Sequence, residues 1–180
     1  MTENQLILLF LPIINAGLIA DGFLNVPVKR ANQPTQQGAN SGNTVYFYPI
    51  ANRRYGYLGR FYNWDSVHSV MVHDETQYME SSFQISTLVR QYPTQPALYT
   101  AYDLAYEVSS ILQSDATIVT LNNAGVGILR ITDIRQPYFV DDRDNFEALP
   151  NFDFILTYQN DRVMNTPVIQ LPIALDIQGV

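Results

Sequence analysis

The chain has 180 residues, 47% of them hydrophobic, enough for one domain with a sizeable core and too many for a disordered segment. A net charge of −7 argues against gripping nucleic acid, which rests on lysine and arginine, and the absence of cysteine excludes disulfides, a thiol nucleophile and thiolate metal sites. Charged residues are sparse at 15% while tyrosine occurs 12 times, which suits either permanent subunit contacts or simply a strand-rich protein.

Residues 6–20, LILLFLPIINAGLIA, are apolar but fall short of the roughly 20 residues that span a bilayer. Pro12 and Asn15 interrupt them, and Glu3 precedes them where a signal peptide would carry basic residues. Leu6, Leu9, Phe10, Ile13, Ile14 and Leu18 recur at helical spacing. The run therefore reads as a buried amphipathic helix from a Thr2 N-cap to Gly22, either bent at Pro12 or divided there into two short helices.

Residues 29–43, KRANQPTQQGANSGN, hold no aliphatic side chain larger than alanine and read as a flexible loop. A strand follows at 44–51, where Pro49 places it at an edge or ends it. Residues 57–72 read as a second strand with a bulge near Asn63. In 75–91 the odd positions Met79, Phe83, Ile85 and Val89 are apolar and the even positions Glu80, Ser82, Gln84, Ser86 and Arg90 are polar, the period of a long, half-buried antiparallel strand.

A helix is predicted over 97–113 from the stripe Ala97, Ala101, Leu104, Ala105, Val108, Ile111 and Leu112, with Thr94 and Pro96 at its cap and first turn. A short helical piece at 115–124 ends at Gly125. Strands follow at 126–135 and 151–160, the latter with Phe152, Phe154, Leu156 and Tyr158 on one face. Two prolines make 167–177 an extended arm or edge strand. Consecutive strands without alternating helices imply an α+β fold, a mainly antiparallel sheet packed by one long and one or two short helices. Residues 1–180 read as a single domain with a flexible loop at 29–43 and an extended arm at 163–180.

The strongest chemical candidate is IRQPYFVDDRDNFEALPNFDF, residues 134–154, which places Asp141, Asp142, Asp144 and Glu147 within seven residues. Such carboxylates can hold a hard divalent cation, and a cation-dependent hydrolase using Asp141, Asp142 and Asp144 is one reading. The EF-hand pattern fails, because Phe146 stands where the sixth loop position requires glycine. The other reading is an acidic loop or subunit contact in which Arg143 offsets like-charge repulsion. His68 and His73 are five apart and on one continuous strand would face opposite sides, which weakens a shared metal site. Asp65, Ser66 and His68 are close in sequence, but a triad is defined by geometry. Arg53 and Arg54 lie beside Tyr55 and Tyr57, a mixture used for nucleic-acid stacking, though two arginines make a weak patch. With Arg60 they are candidates for pairing with Asp141 and Asp142 of a neighbouring copy, in an interface that includes Tyr138, Phe139 and Arg143. No residue pattern asks for a cofactor.

One resemblance joins these segments. A first helix is followed by KRANQPTQQG, an edge strand, the polar hairpin MESSFQISTLVRQY, the helix ALYTAYDLAYEVSSIL, the turn and strand AGVGILRITDIR, and DDRDNFEALPNFDFILTY. Over residues 3–160 this order resembles the neck and tail-terminator proteins of tailed bacteriophages. The resemblance implies a structural virion subunit, assembled in the host cytoplasm, without catalysis, cofactor or membrane. It implies a ring of six copies that caps the tail tube and joins tail to head. Its partners would be the tube protein, connector or stopper neck proteins and the tail sheath, with DNA passing through unheld. A head-completion, stopper or tube-like neck protein is the alternative within the same architecture.

Overall fold

The computed structural model describes residues 1–31, 42–89, 98–140 and 146–167. Helix α1 (Glu3–Ala20) opens on a capping box. The Gln5 amide donates to Thr2 Oγ1 at 3.3 Å, and the Thr2 amide donates to Gln5 Oε1 at 2.7 Å. The helix runs unbroken through Pro12 and ends at Asp21 and Gly22, whose φ of +86° turns the chain as glycine allows. Strand β1 (Val28–Arg30) follows, so Lys29 and Arg30, predicted as loop, belong to a short parallel pairing with β2. Arg30 is anchored there by a 2.7 Å ion pair to Glu3 in the first turn of α1. Residues 32–41 of the predicted loop lie outside the described residues.

Strand β2 (Thr44–Asp65) corrects the two-strand reading of this region, because 44–51 and 57–72 are not separate elements. Pro49 does not end the strand: β1 covers only Val45–Phe47, so Pro49 sits on a free edge where no neighbour needs its missing N–H. Extra residues are absorbed at Pro49/Ala51 and Tyr55/Gly59, not at Asn63. The turn into β3 (Val70–Leu88) spans 66–69, earlier than the predicted strand ends imply. Its cause is Asp65, whose Oδ1 accepts from the Val67 and His68 amides at 2.9 and 3.2 Å, an Asx-type turn that precedes Ser69 at φ +54°.

Helix α2 (Ala101–Gln113) starts later than predicted, with Thr100 as its cap; Thr94, Pro96 and Ala97 lie outside the described residues. Thr100 Oγ1 accepts from the Asp103 amide at 3.1 Å, while Asp103 Oδ2 accepts from the Thr100 amide at 2.7 Å. Ser114 then caps α3 (Asp115–Asn123), and Gly125 at φ +73° leads into β4 (Val126–Ile131). Strands β5 (Tyr138–Val140) and β6 (Phe146–Ala148) form a separate small hairpin. Strand β7 (Asn151–Pro167) runs past its predicted end, so residues 163–167 of the predicted arm are paired with β3. Residues 168–180 lie outside the described residues.

The main sheet has the order β1-β2-β3-β7-β4, antiparallel except for β1 with β2, and the α+β class is that predicted. One face carries the core. Val45 and Phe47, Phe83 and Ile85, and Phe152, Phe154, Leu156 and Tyr158 meet Leu6, Phe10, Ile14 and Leu18 of α1 and Leu104, Val108 and Leu112 of α2. The even-numbered stripe of β7 is buried as its alternation predicts. α1 is long and apolar enough to cross a membrane by length and composition, but its Leu6–Phe10–Ile14–Leu18 stripe forms the core of this domain. The reverse face is polar: Gln84 bonds both Tyr48 and Asp153, and Arg135 pairs with Asp153 at 2.7 Å.

Candidate functional site

Strands β2, β3 and β7 continue beyond the helices as a three-stranded arm, and none of the residues 48–65, 70–80 and 159–166 is buried. By register, Tyr62, His73 and Met164 form one row and Trp64, Met71 and Thr166 the next, on the face that carries the core lower down. Phe61 and Val163 flank Asp74 on the reverse. The Tyr62 ring meets His73 edge-on at 4.9 Å. Both faces of the arm thus expose large apolar side chains, the mark of a surface made to be covered.

The arm also holds the predicted basic residues. Arg53 and Arg54 are neighbours in the strand, opposite Glu80 and Met79, so they point to opposite faces. Both are exposed, and neither forms an ion pair among the described residues. Arg60 does pair, with Glu75 of the adjoining strand at 3.3 Å. Between them β2 bulges: three residues, 56–58, oppose Gln77 alone, Gly56 adopts φ +72°, and Tyr57 is 99% exposed. Gln77 Nε2 secures the bulge by donating to the Tyr55 carbonyl at 2.7 Å. Sequence reasoning missed this bulge, because it left Gly56 between two strands; its signal was a glycine set between two aromatics, Tyr55-Gly56-Tyr57.

His68 lies in the turn and His73 on β3, so the condition of one continuous strand is not met. Asp65 Oδ2 meets His68 Nδ1 at 2.6 Å, and this bond, with the two turn amides, holds the Asp65 carboxyl below its usual range. Ser66 makes no hydrogen bond to His68 among the described residues, so the three do not assemble a nucleophilic triad there. Tyr138 and Phe139 stand on β5, with Phe139 opposite Glu147 of β6. Asp141, Asp142, Arg143 and Asp144 lie outside the described residues. Among the described residues no three His, Asp or Glu side chains gather as a metal site.

A second feature lies between the helices. Gly17 of α1 abuts Ile111 of α2 so closely that a Cβ there would stand 2.7 Å from Ile111 Cγ2. Beside this contact opens a groove of about 510 Å³, lined by Ile13, Ala16, Ala20, Ala116 and Thr120, with Asp21 and Glu107 at its rim. Partial burial, then a hydrogen bond and repulsion from Asp21, raise the Glu107 carboxyl above its ordinary value of 4.5. The folded state therefore holds this proton more tightly than the unfolded chain, and stability falls as pH rises through the folded pKa. Glu107→Gln is expected to melt higher than the parent near pH 7.5, with the difference closing below 4.5, as followed by thermal melts across pH. A difference that widens on acidification would contradict this.

The chain is a two-layer α+β domain that extends a long three-stranded arm, and its class, by its family, is that of phage tail and neck structural proteins. The model of the E217 gateway protein gp29 family matches residues 5–168, and the chain belongs to that family. Its place is the tail or neck of the virion, as the resemblance implied. Among solved structures, the sheath/tube terminator of the extracellular contractile injection system PVC, in its extended state, is similar with a TM-score of 0.47 and 8% identity. The likeness covers 94% of this chain and 62% of the terminator, so the chain spans less than two thirds of that protein's length. A chain from the virion of a native gene transfer agent particle is similar with a TM-score of 0.29 and 14% identity, over 84% of this chain and 94% of that one. No curated protein matches.

Proposed function

We propose that the protein is a subunit of a ring, of six copies, that caps the phage tail tube and joins the tail to the head, leaving a channel for DNA. The family match over residues 5–168 carries this reading. The exposed arm supports it, since contacts between two different surface patches close into rings when the rotation permits. The role is structural and not catalytic. Tube protein, connector or stopper proteins and the tail sheath are its partners in this reading. Arg53, Arg54, Arg60, Tyr138, Phe139, Asp141, Asp142 and Arg143 belong to subunit contacts. The net charge of −7 suits a channel wall that lets DNA pass without holding it.

A reconstruction of the virion neck tests this. The expected result is a sixfold ring of this chain directly above the last tube ring. A ring placed next to the portal instead would favour the stopper or tube-like alternative, and a neck without this chain would end both. Titration with Mg²⁺, Mn²⁺ and Ca²⁺ is expected to give no heat; binding abolished by Asp141→Asn and Asp142→Asn would instead support the hydrolase reading.

A further inference from the structure

The groove between α1, α2 and α3 has an electrostatic demand that the described residues do not meet. α1 ends there with no basic residue in its last turn, so no side chain of that turn offsets the partial negative charge of the helix C-terminus. Asp21, the C-cap, and Glu107 add two carboxylates. Neither has an ion-pair partner among the described residues. The site asks for a cation, and below it the groove offers aliphatic and small side chains to an apolar body.

The chain carries the complement elsewhere. Arg53 and Arg54 are the only adjacent cations without an ion pair among the described residues. Four residues along from Arg53, the bulge leaves Tyr57 almost wholly exposed. A tyrosine buries about 150–250 Å² when covered, and the groove of about 510 Å³ has room for such a side chain. The bulge also spoils the outer edge of β2 for strand addition, so this edge is suited to contact by side chains and not by backbone pairing.

We infer that Tyr57 of one copy seats in the α1–α2–α3 groove of the next, with Arg53 or Arg54 meeting Asp21 and Glu107. The inference rests on the ring reading above and makes it specific. The arm is one half of a heterologous contact and the groove the other, and Asp21 and Glu107 take the place of Asp141 and Asp142 as counterparts of the arginines. A neighbour's guanidinium would also offset the repulsion that the isolated chain bears at its groove rim.

The absence of cysteine makes the test clean. Tyr57→Cys and Ala116→Cys are combined in the full chain, and a short bismaleimide is applied to the purified protein at ring-forming concentration and to virions assembled from it. The double variant is expected to give a ladder of cross-linked copies up to the closed ring, and each single variant none. In parallel, Glu107→Arg is expected to weaken ring formation at least tenfold by mass photometry, and Arg54→Glu in the same chain to restore most of it. A ring that forms with no ladder and no rescue overturns this contact while leaving the ring reading intact. A chain that stays monomeric in solution and forms no ring in virions overturns both.

Discussion

Phe10→Ala is expected to destabilise the protein by about 3–5 kcal/mol, the range for removing a fully buried phenylalanine. Phe10 is wholly buried and stands at the centre of an aromatic cluster. Its ring meets Phe47 at 5.4 Å, Phe83 at 5.0 Å and Phe154 at 5.3 Å, each edge-on, while Phe83 and Phe154 stack on one another at 5.4 Å. These rings come from β2, β3 and β7, the three strands that continue into the arm. One side chain of α1 thus fastens the helix layer across the middle of the sheet. Alanine would leave a cavity against three rigid rings that cannot collapse into it. Chemical denaturation should show a lower midpoint with an unchanged slope. Phe10→Leu, which keeps most of the volume, should lose clearly less. Equal losses for both would mean that the aromatic contacts, and not the filled space, hold α1 in place.

How much of this was legible in the sequence follows from what each signal reports. The alternation at Phe83 and Ile85 and at Phe152, Phe154, Leu156 and Tyr158 gave the core face, because a half-buried strand must sort its side chains with period two. The helical spacing of Leu6, Phe10, Ile14 and Leu18 gave α1 in the same way. Alternation fails in 48–65, where no residue is buried and no face is selected, and there the strand was wrongly divided. The true turn depended on one Asp65 carboxylate choosing backbone amides, a local choice that hydrophobic pattern does not record. Of the predicted contact residues, Arg53 and Arg54 proved exposed and Arg60 internally paired. The groove was invisible beforehand because Asp21 and Glu107 are far apart in the chain and meet only through helix packing.

The arm exposes large apolar side chains in spite of the charges it carries. A solvated hairpin of this length would ordinarily be protected by lysines and charged edges. Here Arg53, Arg54, Arg60, Asp74, Glu75, Asp161 and Arg162 supply charge, yet Tyr62, Trp64, Phe61 and Val163 stand exposed among them, a patch suited to being covered. These exposed apolar residues are what suits the arm to the subunit contacts proposed above.

Pro12→Ala is the largest stabilising change expected. Pro12 lies inside α1, where it supplies no N–H to the Leu8 carbonyl and its ring crowds that carbonyl. A proline in a helix interior costs about 3 kcal/mol relative to alanine. Part of that is offset because proline also restricts the unfolded chain, by about 0.4–1 kcal/mol. The side chain is exposed, so alanine removes no core contact. Leu8 itself is 72% exposed, so its carbonyl is placed to find water in the parent, which trims the gain further. The balance is a stabilisation of about 2 kcal/mol, or roughly 4–8 °C in a chain of this size. A melting point unchanged or lowered would mean that the proline bends α1 to fit the curve of the sheet, so that straightening the helix lifts Phe10 or Ile14 from the core. A cross-check is available in assembly: Leu8, Pro12 and Ile19 share the outward side of α1, away from the Leu6–Phe10–Ile14–Leu18 stripe. If Pro12→Ala stabilises the monomer yet leaves formation of the proposed ring, followed by mass photometry, unaltered, that outward side is free in such a ring; if ring formation drops, a neighbour rests on it.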